Sequence, residues 1–522
     1  MAIIGIDFGN YNTFPCFISD FDPGTRMGGT VHDLLPSGLQ DGIPSVFYYS
    51  KKVGVLCGEE AVRTRARPVN NRIRNLKRHL GDSIILKDGE DDEDGVVISY
   101  DDAITSVIQH CVRRANEQLH AGWQMTTNQI SLSYPASYTS AQLQRLIELA
   151  EQATLADGTP VKVVGTIREP AAAALDYLAE YAQTKEETTV LTYDLGGGTF
   201  DLALVAAYPG GRKNENGGVY YYDVIDPDGL PNVGGTEFDK VVYQLMLSKL
   251  DVPLKPVHEN TLQRRVEAIK IALSTDDYVE EELLYEDDFL PFQITQQEFE
   301  EAASGLLQQT IDATRQMLLK HPNQQPELIL LTGGASKMPM VKEALEEALP
   351  QFKDRIIYFR PSRAIAYGAA RFGTAEVNQD PAGDTTMVQQ RTVFDLGVRF
   401  YNGTDDKVGH IVTYIPAGTP IPYAGEYHGS RTLHEKQRYS GFEVYEAVVS
   451  NPDRNNVFED YVQIMEVTVD HGEGGVPVGT ENESRLQVDK LGVLTIQARM
   501  KTDDGMKPVE STVQLTNLSS SV

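Results

Sequence analysis

Cysteine, tryptophan and positive charge are all scarce in this chain, and each scarcity excludes something. Three cysteines, Cys16, Cys57 and Cys111, and one tryptophan occur in 522 residues. An odd number of widely spaced thiols builds neither a disulfide framework nor a zinc-ligand pattern, and this points to a reducing, cytoplasmic setting. Lysine and arginine total 46 against 75 aspartates and glutamates, a formal net charge of −29. A surface that acidic repels nucleic acid and anionic membranes over most of its area, so neither is expected as a partner. No apolar run is long enough to span a bilayer, and the opening MAIIGIDFGN has no basic n-region. A local basic stretch, with Arg65, Arg67, Arg72, Arg74 and Lys77, is short and reads as serving a site inside the fold. The length exceeds one ordinary domain.

Glycine, by contrast, is concentrated where it has consequences. Tyr193 to Val205 reads YDLGGGTFDLALV, with Gly196, Gly197 and Gly198 between two apolar stretches and Asp194 and Asp201 on either side. The alternation on both sides is that of a strand, a glycine turn and a returning strand. Successive backbone N–H groups in such a turn can form a concave anion site. Flanking carboxylates suit a hard cation that bridges them to a phosphate. IIGIDFGNYNTFPCFI repeats the unit, with Asp7 in the place of Asp194 and Gly9 in that of Gly196. Two copies far apart suggest two similar lobes that aim their turns at a shared cleft.

Helical periodicity runs from Ser140, its expected N-cap, through Leu143, Leu146, Ile147 and Ala150. REPAAAALDYLAEY starts a helix with Pro170 in its first turn. Gly234 and Gly235 lead into another. From Thr261 to Ser274 a single helix is expected, with Leu262, Val266, Ile269 and Leu273 on one face and Glu267, Lys270 and Ser274 beside it. On the residues alone, Glu267 and Lys270 read as a surface ion pair. LILLTGGASKMP runs a strand into Gly333 and Gly334 and then a helix, an arrangement at which α/β proteins bind phosphate. Beyond Gly373 the chain turns polar, rich in Asp, Gly and Pro, and reads as a linker. Val393 to Leu515 then shows strand signals every dozen residues or so, a separate β-sandwich. The acidic runs Asp88–Asp94 and Glu280–Asp288 read as solvated loops.

The segments GIDFGN, LSYPAS, REPAAAA, YDLGGGTFD, GGTEFD, ALS and LLTGGASKMP occur in the order seen in the DnaK-type heat shock protein 70 chaperones, which the chain resembles from Ile3 to about Phe372. IPAGTPIP and DKLGVLTIQAR resemble the peptide-binding β-domain of that family more loosely. The resemblance implies an α/β, actin-like ATPase domain of two duplicated lobes over residues 1–375, a linker over 376–392, and a mainly antiparallel β-sandwich over 393–522. No helical pattern follows Leu515, which implies a member without the helical lid. ATP or ADP with Mg²⁺ would be the ligands, slow hydrolysis the chemistry, and unfolded or specific protein segments the partners. A J-domain cochaperone or a nucleotide-exchange factor is implied too.

Carried over residue by residue, Asp7, Asp194 and Asp201 would hold Mg²⁺ through water, Lys77 would sit at the γ-phosphate, and Glu169 would orient metal-bound water. Gly9, Asn10, Tyr11, Gly196, Gly197, Gly198, Thr199, Gly234 and Gly235 would line the phosphates. Glu267, Lys270 and Ser274 would hold the adenosine, with Gly333 and Gly334 close by. The chain departs from the family where Asn10 and Tyr11 replace two threonines, where Leu143 replaces an arginine a turn after Pro135, and where Ser362 replaces an aspartate. Pro15 suggests a bulge or an edge in the second strand. A ring at Tyr11 would face either the cleft or the lobe core. Two readings stay open: a slowly hydrolysing chaperone, and a nucleotide-controlled binding module with little hydrolysis and one dedicated partner. A sugar-kinase-type member of the same superfamily fits poorly with an appended β-sandwich.

Overall fold

A computed structural model describes residues 2–21, 27–65, 71–87, 94–182, 187–214, 218–250, 252–378, 385–403, 405–449, 452–453, 459–502, 505–509 and 511–519. The chain's length is divided among two α/β lobes and a β-sandwich. In the first lobe the strands Ile4–Phe8, Asn12–Ser19, Thr30–Asp33, Gln129–Tyr134 and Lys162–Arg168 form one sheet. The first of these pairs antiparallel with the second and parallel with the fourth. In the second lobe Thr188–Leu195, Phe200–Lys213, Val219–Leu230, Leu328–Thr332 and Ile356–Tyr358 repeat the same spatial order and the same senses of pairing. Registers match as well: Asp7 lies opposite Phe14, and Asp194 opposite Asp201. The two lobes are duplicates, as an actin-like domain requires.

Each sheet hands its last strand to a helix that crosses the middle of the molecule. Lys162–Arg168 leads into the helix Glu169–Tyr181, and Ile356–Tyr358 precedes Ala364–Val377. Ala171 to Ala174 are fully buried, and these small side chains let the helices touch backbone to backbone. A Cβ added to Gly368 would lie 1.8 Å from the Ala172 carbonyl oxygen, so no larger residue fits there. Asp176, with no exposed surface, pins the crossing by accepting from Arg371 and Arg360, each at 2.8 Å. A buried carboxylate held by two guanidinium groups is paired and hydrogen-bonded, the condition under which such burial is tolerated.

Several local expectations change. Thr139, not Ser140, caps the helix Ser140–Gln152, in a capping box with Gln142. The stretch from Thr261 to Ser274 is two helices, Pro256–Gln263 and Val266–Ala272, yet Leu262, Val266, Ile269 and Leu273 are all buried. Glu280–Asp288 is no loop: Tyr278–Tyr285 and Asp288–Thr295 form a hairpin in which Glu280 and Glu282 point to solvent. Residues 88–93 of the other acidic run, and Arg67 of the basic stretch, lie outside the described residues. Pro15 sits in no bulge but at a local gap in the ladder on one side of its strand. It pairs with Ile6 in unbroken register and, on the other side of its strand, falls between the stretches paired to Ile43–Pro44 and Thr30–Asp33. All three cysteines are buried and free. No helix among the described residues is long and apolar enough to cross a membrane.

Within the segment expected to be a linker, Thr385–Arg391 is a strand. It extends the second lobe's sheet, parallel to Val219–Leu230. Its glutamines are buried and satisfied: Gln390 donates to the Thr166 carbonyl of the first lobe at 3.0 Å. Arg391 grips both oxygens of Asp223, at 3.1 and 3.0 Å, and pairs onward with Pro420 of the β-domain. The β-domain is two sheets, with every pairing antiparallel, around Leu396, Val398, Val444, Ile464, Val467, Leu486 and Leu494. It rests on the first lobe. Leu491, Val493 and Leu518 pack against that lobe's core, and Leu491's carbonyl accepts from Thr166 at 2.7 Å. Leu143, the replacement for the family's arginine, lies beside Gly492 in this apolar seam.

One carboxylate is buried in the seam. Glu446 of the strand Tyr439–Ala447 accepts from the Ser140 N–H at 2.7 Å, with Arg168 and Tyr134 nearby. Burial pushes its carboxyl up from 4.5 to about 7. The docked form therefore holds the proton more tightly between those values, so docking strengthens as pH falls from 7 toward 4.5 and weakens as pH rises through 7. Glu446→Gln is expected to raise the melting temperature at pH 8 and to leave it nearly unchanged at pH 5; equal effects at both pH values would contradict this. The edge strand yields a second expectation. A fragment ending at Thr392 should melt measurably above one ending at Asp380: with an unfolding entropy of about 2.1 cal/mol/K per residue, each 1 kcal/mol moves a fragment this long by about 1 °C. Equal melting temperatures would show that Thr385–Arg391 adds nothing to the second lobe.

Candidate functional site

Both glycine hairpins close their turns identically. Gly9 N–H donates to the Asn12 carbonyl at 3.1 Å, and Gly196 N–H to the Thr199 carbonyl at 3.0 Å. This repeated turn brings Asp7 from one lobe and Asp194 and Asp201 from the other to the floor of the cleft between the lobes. Asp194 and Asp201 are buried, along with Glu169 at the start of its crossing helix, and Asp7 is partly buried. Lys77 comes from a short turn, Leu76–His79, and is 3% exposed. It forms an ion pair with Glu169, and Tyr138 holds its backbone through a hydrogen bond to the Lys77 carbonyl at 3.0 Å.

Four carboxylates around Lys77, three of them buried, leave a surplus of negative charge. Burial, with Glu169 next, pushes the Asp7 and Asp201 carboxyls up from 3.8 to about 7, and Asp194 is raised well above the ordinary range for the same reasons. Ser133 donates to Asp7 at 3.3 Å and the Ala136 N–H to Asp201 at 2.8 Å. One oxygen of Asp194 and one of Asp201 remain buried without a hydrogen bond. Orphaned buried carboxylate oxygens carry a large desolvation cost, which a divalent cation and its waters would offset. Among the described residues no three His, Cys, Asp or Glu side chains converge closely enough to hold a metal directly. The orphaned oxygens of Asp194 and Asp201 are the feature that suits a hydrated hard cation. Two glycines make room for these carboxylates. Gly333, at φ +80°, sits where a Cβ would meet Asp194 at 2.5 Å, and Gly229 where one would meet Asp201 at 2.6 Å.

The third glycine turn docks on the second hairpin. Gly235 and Thr236 open the helix Gly235–Lys249 and donate to the Gly196 and Gly197 carbonyls at 2.9 and 2.8 Å. Asn10 packs over Gly198 and Tyr11 over Gly197. Tyr11 faces the cleft and crosses it: its hydroxyl donates to Asp239 of that helix at 2.9 Å. Burial, then Asp239, raises its phenol above the ordinary value. Arg78 crosses too, with two 2.9 Å bonds to Glu237 and one to the Gly198 carbonyl.

The expected adenosine face is only partly drawn together. Lys270 is buried, but its partner is Asp239 at 2.7 Å rather than Glu267, and it also donates to the Gly235 carbonyl at 3.1 Å. Ser274 donates to the Lys270 carbonyl at 3.3 Å, while Glu267 stands exposed on the short helix Val266–Ala272. Gly334 borders open space. Arg78, Glu237, Asp239, Gly229 and Tyr138 escaped the sequence reading. Arg78 lay within the basic stretch, and Glu237 and Asp239 lay inside GGTEFDK, so position was on view but pairing was not.

A family model described as Hsp70 protein matches residues 3–521. The curated relatives include proteins named Chaperone protein HscA homolog. That of Shewanella woodyi is 23% identical over 540 residues, covering 98% of this chain and 78% of its own length. That of Shewanella denitrificans is 25% identical, over 81% of this chain and 65% of its own length. That of Colwellia psychrerythraea is 26% identical, over 80% of this chain and 64% of its own length. With duplicated lobes, a carboxylate-lined cleft between them and a β-sandwich behind, the chain belongs to the Hsp70 family.

Proposed function

We propose that the protein is an ATP-dependent chaperone that binds ATP with Mg²⁺ in the cleft, hydrolyses it slowly, and binds protein segments through its β-domain. The observation that carries this reading is the group of Asp7, Asp194, Asp201, Glu169 and Lys77, gathered from both lobes around the turns of two glycine hairpins, all but the partly covered Asp7 buried. Phosphoryl transfer to water asks for positioning and charge stabilisation more than for covalent chemistry. Bound Mg²⁺ would supply neutralising charge at the phosphates. Asp7, Asp194 and Asp201 would hold its waters, and their raised carboxyls would ionise as it arrives. Glu169 fixes Lys77 so that its ammonium points at a defined place. That ammonium would meet the charge that builds on the transferred group.

A reading with little hydrolysis also has an observation behind it. Tyr11 and Asn10 fill the space above Gly197 and Gly198, where smaller side chains would leave room. The cavity beside Lys77, lined by Asn10, Arg78, Tyr138 and Thr199, holds about 20 Å³, room for roughly one water. In this reading the β-domain serves one dedicated partner and nucleotide sets its affinity. J-domain cochaperones and exchange factors belong to both readings. Steady-state ATPase with and without denatured protein separates them: stimulated turnover supports the chaperone, and binding without turnover supports the module.

The decisive substitution is Lys77→Ala. Removing one preorganised donor from developing charge costs about 3 kcal/mol, roughly 100-fold in rate. Single-turnover hydrolysis of pre-bound ATP is expected to fall by about that factor while the ATP dissociation constant changes less than about fivefold. Wild-type turnover in the variant would remove Lys77 from the site.

A further inference from the structure

Three features of the cleft rim have no part in holding a cation or transferring a phosphate. Tyr11 reaches from the first lobe to the second. Its hydroxyl donates to one oxygen of Asp239 at 2.9 Å, and the other oxygen of Asp239 lies 2.7 Å from Lys270. One carboxylate thus ties a first-lobe ring to the lysine expected at the adenosine. Two residues earlier on the same helix, Glu237 takes both guanidinium bonds of Arg78. The ring itself lies on the second hairpin: a Cβ on Gly197 would meet it at 2.4 Å.

We propose that Tyr11 is a latch: its hydrogen bond to Asp239 holds the lobes closed over the cleft, and it must break before a nucleotide can reach Lys270 and the glycine turns. This rests on the reading of the cleft as a nucleotide site. The geometry separates the latch from a ligand contact. The Tyr11 hydroxyl is spent on Asp239, not aimed at the carboxylate floor. Asp239 is spent on Tyr11 and Lys270 together, so freeing one loosens the other. Arg78–Glu237 is a second strut on the same helix, and it makes closure cooperative. A nucleotide that engages Lys270 competes with Asp239, and so with Tyr11. The latch therefore opposes binding and slows association, and it leaves the occupied site largely alone.

Tyr11→Phe removes the hydroxyl and keeps the ring on Gly197, so the fold is retained. Two measurements test the proposal. Hydrogen exchange of the nucleotide-free protein, followed over Gly235–Lys249 and Gly196–Thr199, is expected to quicken about fivefold or more. Stopped-flow binding of a fluorescent ATP analogue with Mg²⁺ is expected to show association about five- to tenfold faster, dissociation changed less than twofold, and affinity tightened accordingly. Unchanged exchange, or an unchanged association rate, overturns the latch. Weaker affinity also overturns it, because Tyr11 would then be a ligand contact. Failure of the wild-type protein to bind the analogue is a different result: it removes the nucleotide reading and with it the latch's role toward nucleotide, while the exchange experiment still reports whether Tyr11 joins the lobes.

Discussion

The structure is organised around one electrostatic problem: four carboxylates, the buried Asp194, Asp201 and Glu169 and the partly buried Asp7, gathered at the meeting of two lobes around Lys77. Such a group is unstable by itself, and the fold spends specific features on it. Glycines 229 and 333 give up side chains so that the carboxylates fit. Tyr138 fixes the turn that carries Lys77, and Ser133 and the Ala136 N–H each hold one carboxylate. What remains unsatisfied is one oxygen each of Asp194 and Asp201. Buried groups whose environments are this unfavourable are found where function demands them. Every longer-range feature, the matched sheets, the crossing helices and the rim contacts, sets how this group is closed off from water.

The duplication explains how two unconnected stretches of chain converge. A sheet of parallel and antiparallel strands in one order, built twice, presents its first hairpin turn at equivalent points. Facing the two copies puts turn against turn. The hairpins are not equal: Asp201 has Phe14 as its counterpart, so the second lobe's hairpin contributes two carboxylates and the first lobe's only one. The first lobe supplies the cationic side instead, with Lys77 and Arg78.

Much of this was legible because it is written locally. Apolar alternation broken by Asp-x-Gly needs no distant partner to be recognised, and both hairpins carry it. Leu494 and Ile496 alternate in the hairpin as the pattern requires. What stayed hidden depends on distant partners. Thr385–Arg391 looks like a linker because its glutamines are polar, yet Gln389 and Gln390 are buried, their amides bonded to backbone carbonyls of other elements. The acidic run after Tyr278 looks like a loop because strand alternation there sets glutamate against glutamate, one face outward and one partly covered. Tyr11 could have faced either way, since one residue of register reverses a strand-end side chain. The partner of Lys270 is hidden for a similar reason: helical spacing proposes Glu267, but Asp239 comes from another helix and lies 2.7 Å from the ammonium.

The crossing of Glu169–Tyr181 with Ala364–Val377 has a mechanical consequence. Gly368 and Ala172 meet through their backbones, and the neighbouring side chains are alanines. Helices whose ridges interlock must climb over one another to rotate; these present a smooth bearing. Asp176 and its two arginines tie the helices together beside it, resisting their separation. A small rotation at this bearing becomes a larger displacement at the rim, far from the axis. The leverage also runs backward: contacts as slight as single hydrogen bonds at the rim act on a long arm, and can govern the posture of two whole lobes.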